Sequence, residues 1–389
     1  MDKIYLDYQA ATPLRPEVRE AMLPFFAEHF GNPSSLHEYG LRAREAMDRA
    51  REQIAAMIGA ASAEEIILTS DGTESANLAV KGAAYAGRRR GKHLVVSEIE
   101  HPAVLNSIRF LEDEGFQCTR VAVDRIGLLD PAAVLHAIRD DTVLVALHLV
   151  NHDLGTIQPV GEVSRGTAER GIPLFVDAEA AAGWFPIDVA ELGADLLSFS
   201  LHRCYGPKGV GVLYRRRRTR IRSLIHGGVQ EDGRRAGTEN IPAIVGAGRA
   251  ADLARTELPA RISHTGELQQ RLSSGLRAAI GDLLLNGPEP GAGRVTNNLH
   301  WCVKNVEGEG LMLLADLQGI DFASGSSCLG KSMKMSYVLE AIGVDPDWAK
   351  GAILLTLGQE NSLAEIDEVV AKLPQLVSRL RSLSPATTG

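Results

Sequence analysis

Short runs of apolar and β-branched residues recur along the chain, each closing on a polar turn: EEIILTS, GKHLVVSE, QCTRVAV, TVLVALHLVN, GIPLFVDA, ADLLSFS and GVGVLY. Near-continuous apolar runs of this length are what strands look like when both of their faces are covered. Segments with helical spacing lie between them, REAMDRAREQIAAMIGA and SANLAVKGAAYAGRRR among them. Strand and helix in alternation predict an α/β large domain over residues 15–255, with a mainly parallel seven-stranded sheet wrapped by helices. Such a sheet binds its ligands beyond the carboxyl ends of its strands. From about residue 255 the pattern changes to a long polar helix, ELPARISHTGELQQRLSSGLRAAIG, then short strands around NNLHWCVK, a Gly/Ser loop and two closing helices. This predicts a smaller α+β domain over 256–389, to which the extended segment 1–14 is assigned.

Composition narrows the classes. With 389 residues, 45% of them apolar, the chain is long enough to bury a large core. Its formal net charge of −8 argues against a generally nucleic-acid-binding surface. The basic run RRRRTRIR at 215–222 reads as a solvated strand edge or hairpin that uses charge to deter edge pairing. No stretch approaches the apolar length of a membrane helix, and no signal-peptide profile opens the chain, so a cytoplasmic protein without membrane or nucleic-acid partners is expected. Cys118, Cys204, Cys302 and Cys328 form no CxxC pair, which supports neither a disulfide framework nor a cysteine-rich zinc site. Cys204 is expected in the core or just behind the pocket wall.

Candidate chemistry gathers where strands end. TSDGTES, at 69–75, joins a strand to a helix, so that backbone N–H groups around Gly72 and Thr73 point outward at the helix start and suit a phosphate. SEIEHPAV puts His101 just past a strand; VNHDLGTIQP does the same for Asn151 and His152, and FVDAEAA for Asp177. SFSLHRCYGPKG adds Ser200, His202 and Arg203. Polar clusters on successive strand ends point to one pocket, in which His101, His152, Asp177, Glu179 and His202 are general-base or metal-ligand candidates, though no spacing among them is diagnostic of a metal.

LDYQAATP, FGNPSSLHEYG, LTSDGTESANLAVKG, EHPAVL, GTIQPV, VDA, SFSLHRCYGPKGVG, HGGVQEDGRRAGTEN and SGSSC together resemble, in order and over nearly the whole chain, the motifs of the NifS/IscS-type cysteine desulfurases. That resemblance implies a homodimer of the class V aminotransferase architecture, fold type I of the enzymes that use pyridoxal phosphate (PLP). It implies that Thr73, Ser200 and His202 contact the cofactor phosphate, with Thr238 reaching in from the partner subunit. Asp177 would pair with the pyridine nitrogen and His101 would stack on the ring and move protons. Cys328, in ASGSSCLGKS with Lys331 nearby to lower its pKa, would take sulfur from L-cysteine as a persulfide and pass it to a sulfur-acceptor protein.

The same pocket holds the departures from the family. Arg203 stands where the resemblance implies the lysine that forms a Schiff base, and a guanidinium stays protonated and forms none. His152 replaces an asparagine near the ring, Ala180 a glutamine that bonds the cofactor's phenolic oxygen, and Leu354 the arginine that grips the substrate carboxylate. Asp71 replaces a glycine beside the phosphate, where like charges about 5 Å apart cost on the order of 3 kcal/mol. An Arg203–Asp71 ion pair is expected to fill the space. Three functions stay open: sulfur mobilisation from L-cysteine through Cys328 without a covalent PLP, the cofactor being held noncovalently or absent; a PLP-independent enzyme using the rebuilt pocket; and a noncatalytic scaffold for sulfur-transfer partners.

Overall fold

The computed structural model describes residues 3–325 and 335–383. In chain order the strands are β1 (Ile4–Leu6), β2 (Ile66–Thr69), β3 (His93–Ser97), β4 (Gln117–Val121), β5 (Thr142–His148), β6 (Leu174–Asp177), β7 (Leu196–Ser200), β8 (Gly211–Arg215), β9 (Leu283–Asn286), β10 (Asn298–Val303), β11 (Ile320–Ser324) and β12 (Ala352–Thr356). The seven apolar runs are β2 to β8, and they form one seven-stranded sheet in the order β2-β8-β7-β6-β5-β3-β4. The links β4-β3-β5-β6-β7 are parallel, while β8 runs antiparallel to both of its neighbours.

Both faces of this sheet are covered, which is why its strands show no polar alternation. Ile66, Leu68, Val145, Leu147, Leu197 and Phe199 point into a core shared with the helix α1 (Glu38–Met57). The alternate positions, Ile67, Leu144, Ala146 and Leu196, pack on the opposite side against α2 (Gly72–Gly87) and α3 (Pro102–Asp113). A second sheet has the order β1-β11-β12-β10-β9, with β1 parallel to β11 and the remaining neighbours antiparallel.

The long polar helix begins earlier than its polar stretch suggests. It is α4 (Ile241–Ala279), 39 residues, with the Asn240 side chain accepting from the Ala243 N–H at its start. Ile241, Ile244, Ala247 and Ala251 belong to the core of the larger sheet, whereas Leu268, Leu272 and Leu276 belong to that of the smaller one. One continuous helix thus serves two cores, and the boundary expected at 255 falls inside it. Pro259 sits in the same helix and leaves one backbone carbonyl without its N–H partner.

The basic run corrects a second expectation. β8 lies between β2 and β7, so the run follows an interior strand rather than guarding an edge. Arg215 Nη1 folds the turn back by donating to the carbonyls of Arg217 and Thr219, at 3.0 and 2.9 Å. Among the described residues no helix is long and apolar enough to cross a membrane.

Leu6 on β1 is fully buried in the smaller core and stands opposite Phe322. Leu6→Ala is expected to lower unfolding stability by about 3 kcal/mol, by lost transfer energy plus a cavity. Urea denaturation checks this, and the midpoint should fall with little change in slope.

Candidate active site

In the larger sheet β4 leaves β3 on one side while β5 and its successors leave on the other, so the loops after β3 and β5 open a crevice between them. Asn151 ties those loops together: its Nδ2 donates to the Ile99 carbonyl, and its Oδ1 accepts from the N–H groups of Asp153 and Leu154. This brings His101 and His152 edge to face, ring centroids 5.3 Å apart. His101 Nδ1 accepts from the Ala103 N–H at the start of α3, a role that requires an unprotonated nitrogen. Burial, then the neighbouring His152 and Arg203, pushes His101 down to about 3. His152 is also pushed down to about 3, by burial, His148 and Arg203, and its Nε2 lies 3.2 Å from the Tyr337 hydroxyl. Both rings are neutral at ordinary pH.

Asp177 ends β6 opposite His148 on β5. Burial first and the adjacent Glu179 second raise its carboxyl to about 7, against the Glu179 N–H that bonds its Oδ1 at 2.9 Å. His148 Nδ1 lies 2.6 Å from Glu100 Oε1, and Tyr337 donates to the Glu100 carbonyl. The strand pattern drew attention to neither Glu100 nor His148: His148 sits inside an apolar run, where a polar residue looks the same whether or not it borders a pocket, and Glu100 reads as an ordinary loop residue beside His101. Tyr337 carried no sequence signal at all.

The start of α2 is where a phosphate was expected. Asp71 caps the helix, its Oδ1 accepting from the Glu74 N–H at 2.7 Å, while Glu74 Oε2 accepts from the Ser70 N–H. Ser200 Oγ accepts from the Gly72 N–H at 2.7 Å. Glu179 reaches the same place: a side chain at position 72 would collide with its carboxylate. Burial pushes the Glu179 carboxyl up, opposed by Arg203 and by Ser200.

Arg203 pairs with this Glu179, Nε to Oε1 at 3.2 Å, and the expected pairing with Asp71 is replaced. The reason is local: the Asp71 carboxylate is turned inward as a cap, while the longer Glu179 side chain comes from the neighbouring strand end. The Arg203–Glu179 contact lies off the hydrogen-bond axis, so the pair is held by charge, and Glu179 Oε2 and Arg203 Nη1 have no hydrogen-bond partner.

The remaining candidates are dispersed. His202 stands beside Arg203 and is pushed down to about 4 by burial, Arg203 and Lys208. Thr73 is exposed on the first turn of α2. Thr238 is exposed too and lines a cleft of about 230 Å³ with Ser70, Glu231 and Arg235. Ala180 is buried in the larger core and Leu354 lies on β12 opposite His300. Cys204 is in the core, its Sγ 3.4 Å from the Leu201 carbonyl. Cys328 and Lys331 lie outside the described residues. Among the described residues no group of three or more His, Cys, Asp and Glu side chains is placed to hold a metal ion.

Breaking a buried ion pair from one side strands the other charge. Arg203→Ala is therefore expected to destabilise the protein by about 3 kcal/mol, and adding Glu179→Ala should cost less than the sum of the single changes, as a double-mutant cycle by urea denaturation would show. The pH dependence has two opposed parts. Asp177, raised in the folded state, contributes stability that is complete below its unfolded pKa and is lost as pH rises through about 7. His152, depressed, contributes stability that is present above its unfolded pKa and is lost as pH falls toward about 3. Between pH 7 and 4, Asp177→Asn should lose more stability on acidification than the parent, and His152→Asn less, measured by thermal melts.

The aminotransferase class V model matches residues 4–369. The chain is 45% identical to cysteine desulfurase IscS of Dictyoglomus turgidum, covering 98% of this chain and 96% of that protein. It is 44% identical to cysteine desulfurase IscS of Methanosarcina thermophila, covering 99% and 94%. Among solved structures, a NifS-like protein superposes with a TM-score of 0.91 at 35% identity, covering 97% of this chain and all of that one. The strand order, the crevice between β3 and β5, and likeness along almost the full chain agree: the protein belongs to the aminotransferase class V family and, within it, to the IscS/NifS group of cysteine desulfurases.

Proposed function

We propose that this chain serves the mobilisation of sulfur from L-cysteine, with Cys328 carrying the sulfur as a persulfide and a homodimer handing it to an acceptor protein. The observation that carries the reading is the likeness over 98% of the chain to proteins named cysteine desulfurase IscS, with the loop ASGSSCLGKS retained. The transfer step needs few parts. An acceptor thiolate attacks the outer sulfur of the Cys328 persulfide, the S–S bond breaks and Cys328 leaves as a thiolate, which a low thiol pKa favours.

PLP is the cofactor of this family. The residues at the start of α2 do not fit it in the family's manner. Arg203 has no amine to condense with an aldehyde. The N–H groups of Gly72 and Glu74 are engaged by Ser200 and Asp71, and the Glu179 carboxylate faces Gly72. No covalent link to PLP forms at position 203, and between noncovalent PLP and none the filled helix start supports the second. The breaking of the C–S bond is thus the step for which the pocket departs most from the family.

A second reading is favoured by one observation. A carboxyl raised to about 7 is suited to accept and return a proton near neutral pH without a cofactor, and two buried neutral imidazoles lie in the same crevice to hydrogen-bond a ligand. On that reading Asp177 moves the proton on a ligand that His101 and His152 orient in the crevice, and Cys328 is dispensable.

The test is to charge the purified full-length protein with L-cysteine alone, with L-cysteine plus PLP, and with a low-molecular-weight persulfide. Mass spectrometry then reads the added sulfur. Wild type is expected to gain one sulfur on Cys328 from the persulfide without added PLP, and Cys328→Ser to gain none. Equal charging of the two proteins, or none in either, overturns the proposal. Consumption of L-cysteine that persists in Cys328→Ser and is lost in His101→Gln moves the assignment to the second reading.

A further inference from the structure

Two charges from separate strand ends meet in front of α2. Glu179 comes from the turn after β6 and Arg203 from the turn after β7, and their side chains are only 13% and 15% exposed. The first residue of α2, Gly72, leaves no room for a side chain because the Glu179 carboxylate lies against it. Two of the outward N–H groups at this helix start are already bonded, Gly72 to Ser200 Oγ and Glu74 to Asp71 Oδ1. A helix start carries a partial positive charge that draws an anion. Here the chain supplies that anion itself.

Arg203 taken alone has the opposite tendency. A fixed guanidinium beside a helix start would strengthen a phosphate site, since arginine binds phosphate in a bidentate manner. Loss of the lysine therefore accounts for the absence of a covalent link but not for a cup that turns a phosphate away. Glu179 supplies the missing element: it neutralises Arg203 and places a carboxylate, with Asp71 behind it, where the phosphate oxygens would have to sit.

We propose that Glu179 is a built-in occupant of the anion cup at the start of α2, held there by Arg203, and that this pair closes the cup to phosphate monoesters such as PLP. The cup is opened by removing the Glu179 charge and stays shut when only Arg203 is exchanged for lysine. The inference deepens the cofactor part of the reading above, yet it is read by binding alone, so its failure and that of the Cys328 assignment are distinguishable.

The experiment compares wild type, Glu179→Gln, Arg203→Lys and the double variant. Inorganic phosphate, against chloride at matched ionic strength, is followed by thermal melting, and PLP by absorbance after gel filtration. Wild type and Arg203→Lys are expected to show no phosphate-dependent rise in Tm and to emerge without PLP. Glu179→Gln should gain a phosphate-dependent rise and hold PLP about tenfold more tightly or better, the scale of removing one like charge at contact distance. The double variant should retain PLP in a form that borohydride fixes at position 203, visible as a mass increase. Wild type that retains stoichiometric PLP overturns the proposal. So does Glu179→Gln with no gain in phosphate binding, or Arg203→Lys fixing as much PLP as the double variant. If Glu179→Gln does not fold, the wild-type measurement still decides, since retained PLP or a phosphate-dependent Tm rise there sinks the idea.

Discussion

A guanidinium lodged at the carboxyl end of β7 cannot shed its proton, and it adds a fixed positive charge to a pocket whose groups burial already holds uncharged. Arg203 adds to burial in holding His101, His152 and His202 unprotonated. It acts in the other direction on carboxyls, opposing the burial that raises Glu179 and that brings Asp7 to about 6. Asp177 rises to about 7 through burial first and then through the neighbouring acids Glu179 and Glu100, against the Glu179 N–H and His148. Burial makes neutral bases and reluctant acids of these groups, and the one permanent cation reinforces the first effect and relieves the second.

The turn that carries Arg203 is pinned from several directions. Thr12 Oγ1 donates to the His202 carbonyl and accepts from the Tyr205 N–H, at 2.8 and 2.7 Å. Trp184 donates to the Arg203 carbonyl, and the Tyr205 hydroxyl donates to Glu360 while accepting from the Gln359 N–H. Tyr205 itself has φ of 69°, a left-handed conformation that a bulky residue adopts only when its surroundings enforce it. The smaller sheet contributes to this enforcement, because Gln359 and Glu360 follow β12 directly. The position of the cation thus depends on the docking of both sheets, and the Glu179 contact follows from it.

Much of the fold was legible in the chain because burial on both faces leaves a plain mark. Seven apolar runs became β2 to β8 in order, and the alternation within each, such as Val145 and Leu147 against Leu144 and Ala146, sent neighbours to opposite cores. The start of α4 was less legible. Its first turns, Ile241 to Ala254, are as apolar as a strand-rich core demands, and only the later turns show the polar face that marks a helix in sequence. RRRRTRIR misled in the same way, since sheet order is a property of the assembled strands and β8 is interior.

In the site, the sequence by itself determined what each residue type can do. It established that position 203 offers a permanent charge and no amine, and that carboxylates and imidazoles recur at strand ends. Only the tertiary structure decided which of them touch. Asp71 was the partner expected for Arg203, although by charge alone Glu179 serves equally well. A local hydrogen bond to Glu74 consumed Asp71, and the parallel register of β6 and β7 carried Glu179 to the guanidinium. Side-chain chemistry is written residue by residue, whereas ion pairing depends on distances that sheet packing sets between positions far apart in the chain.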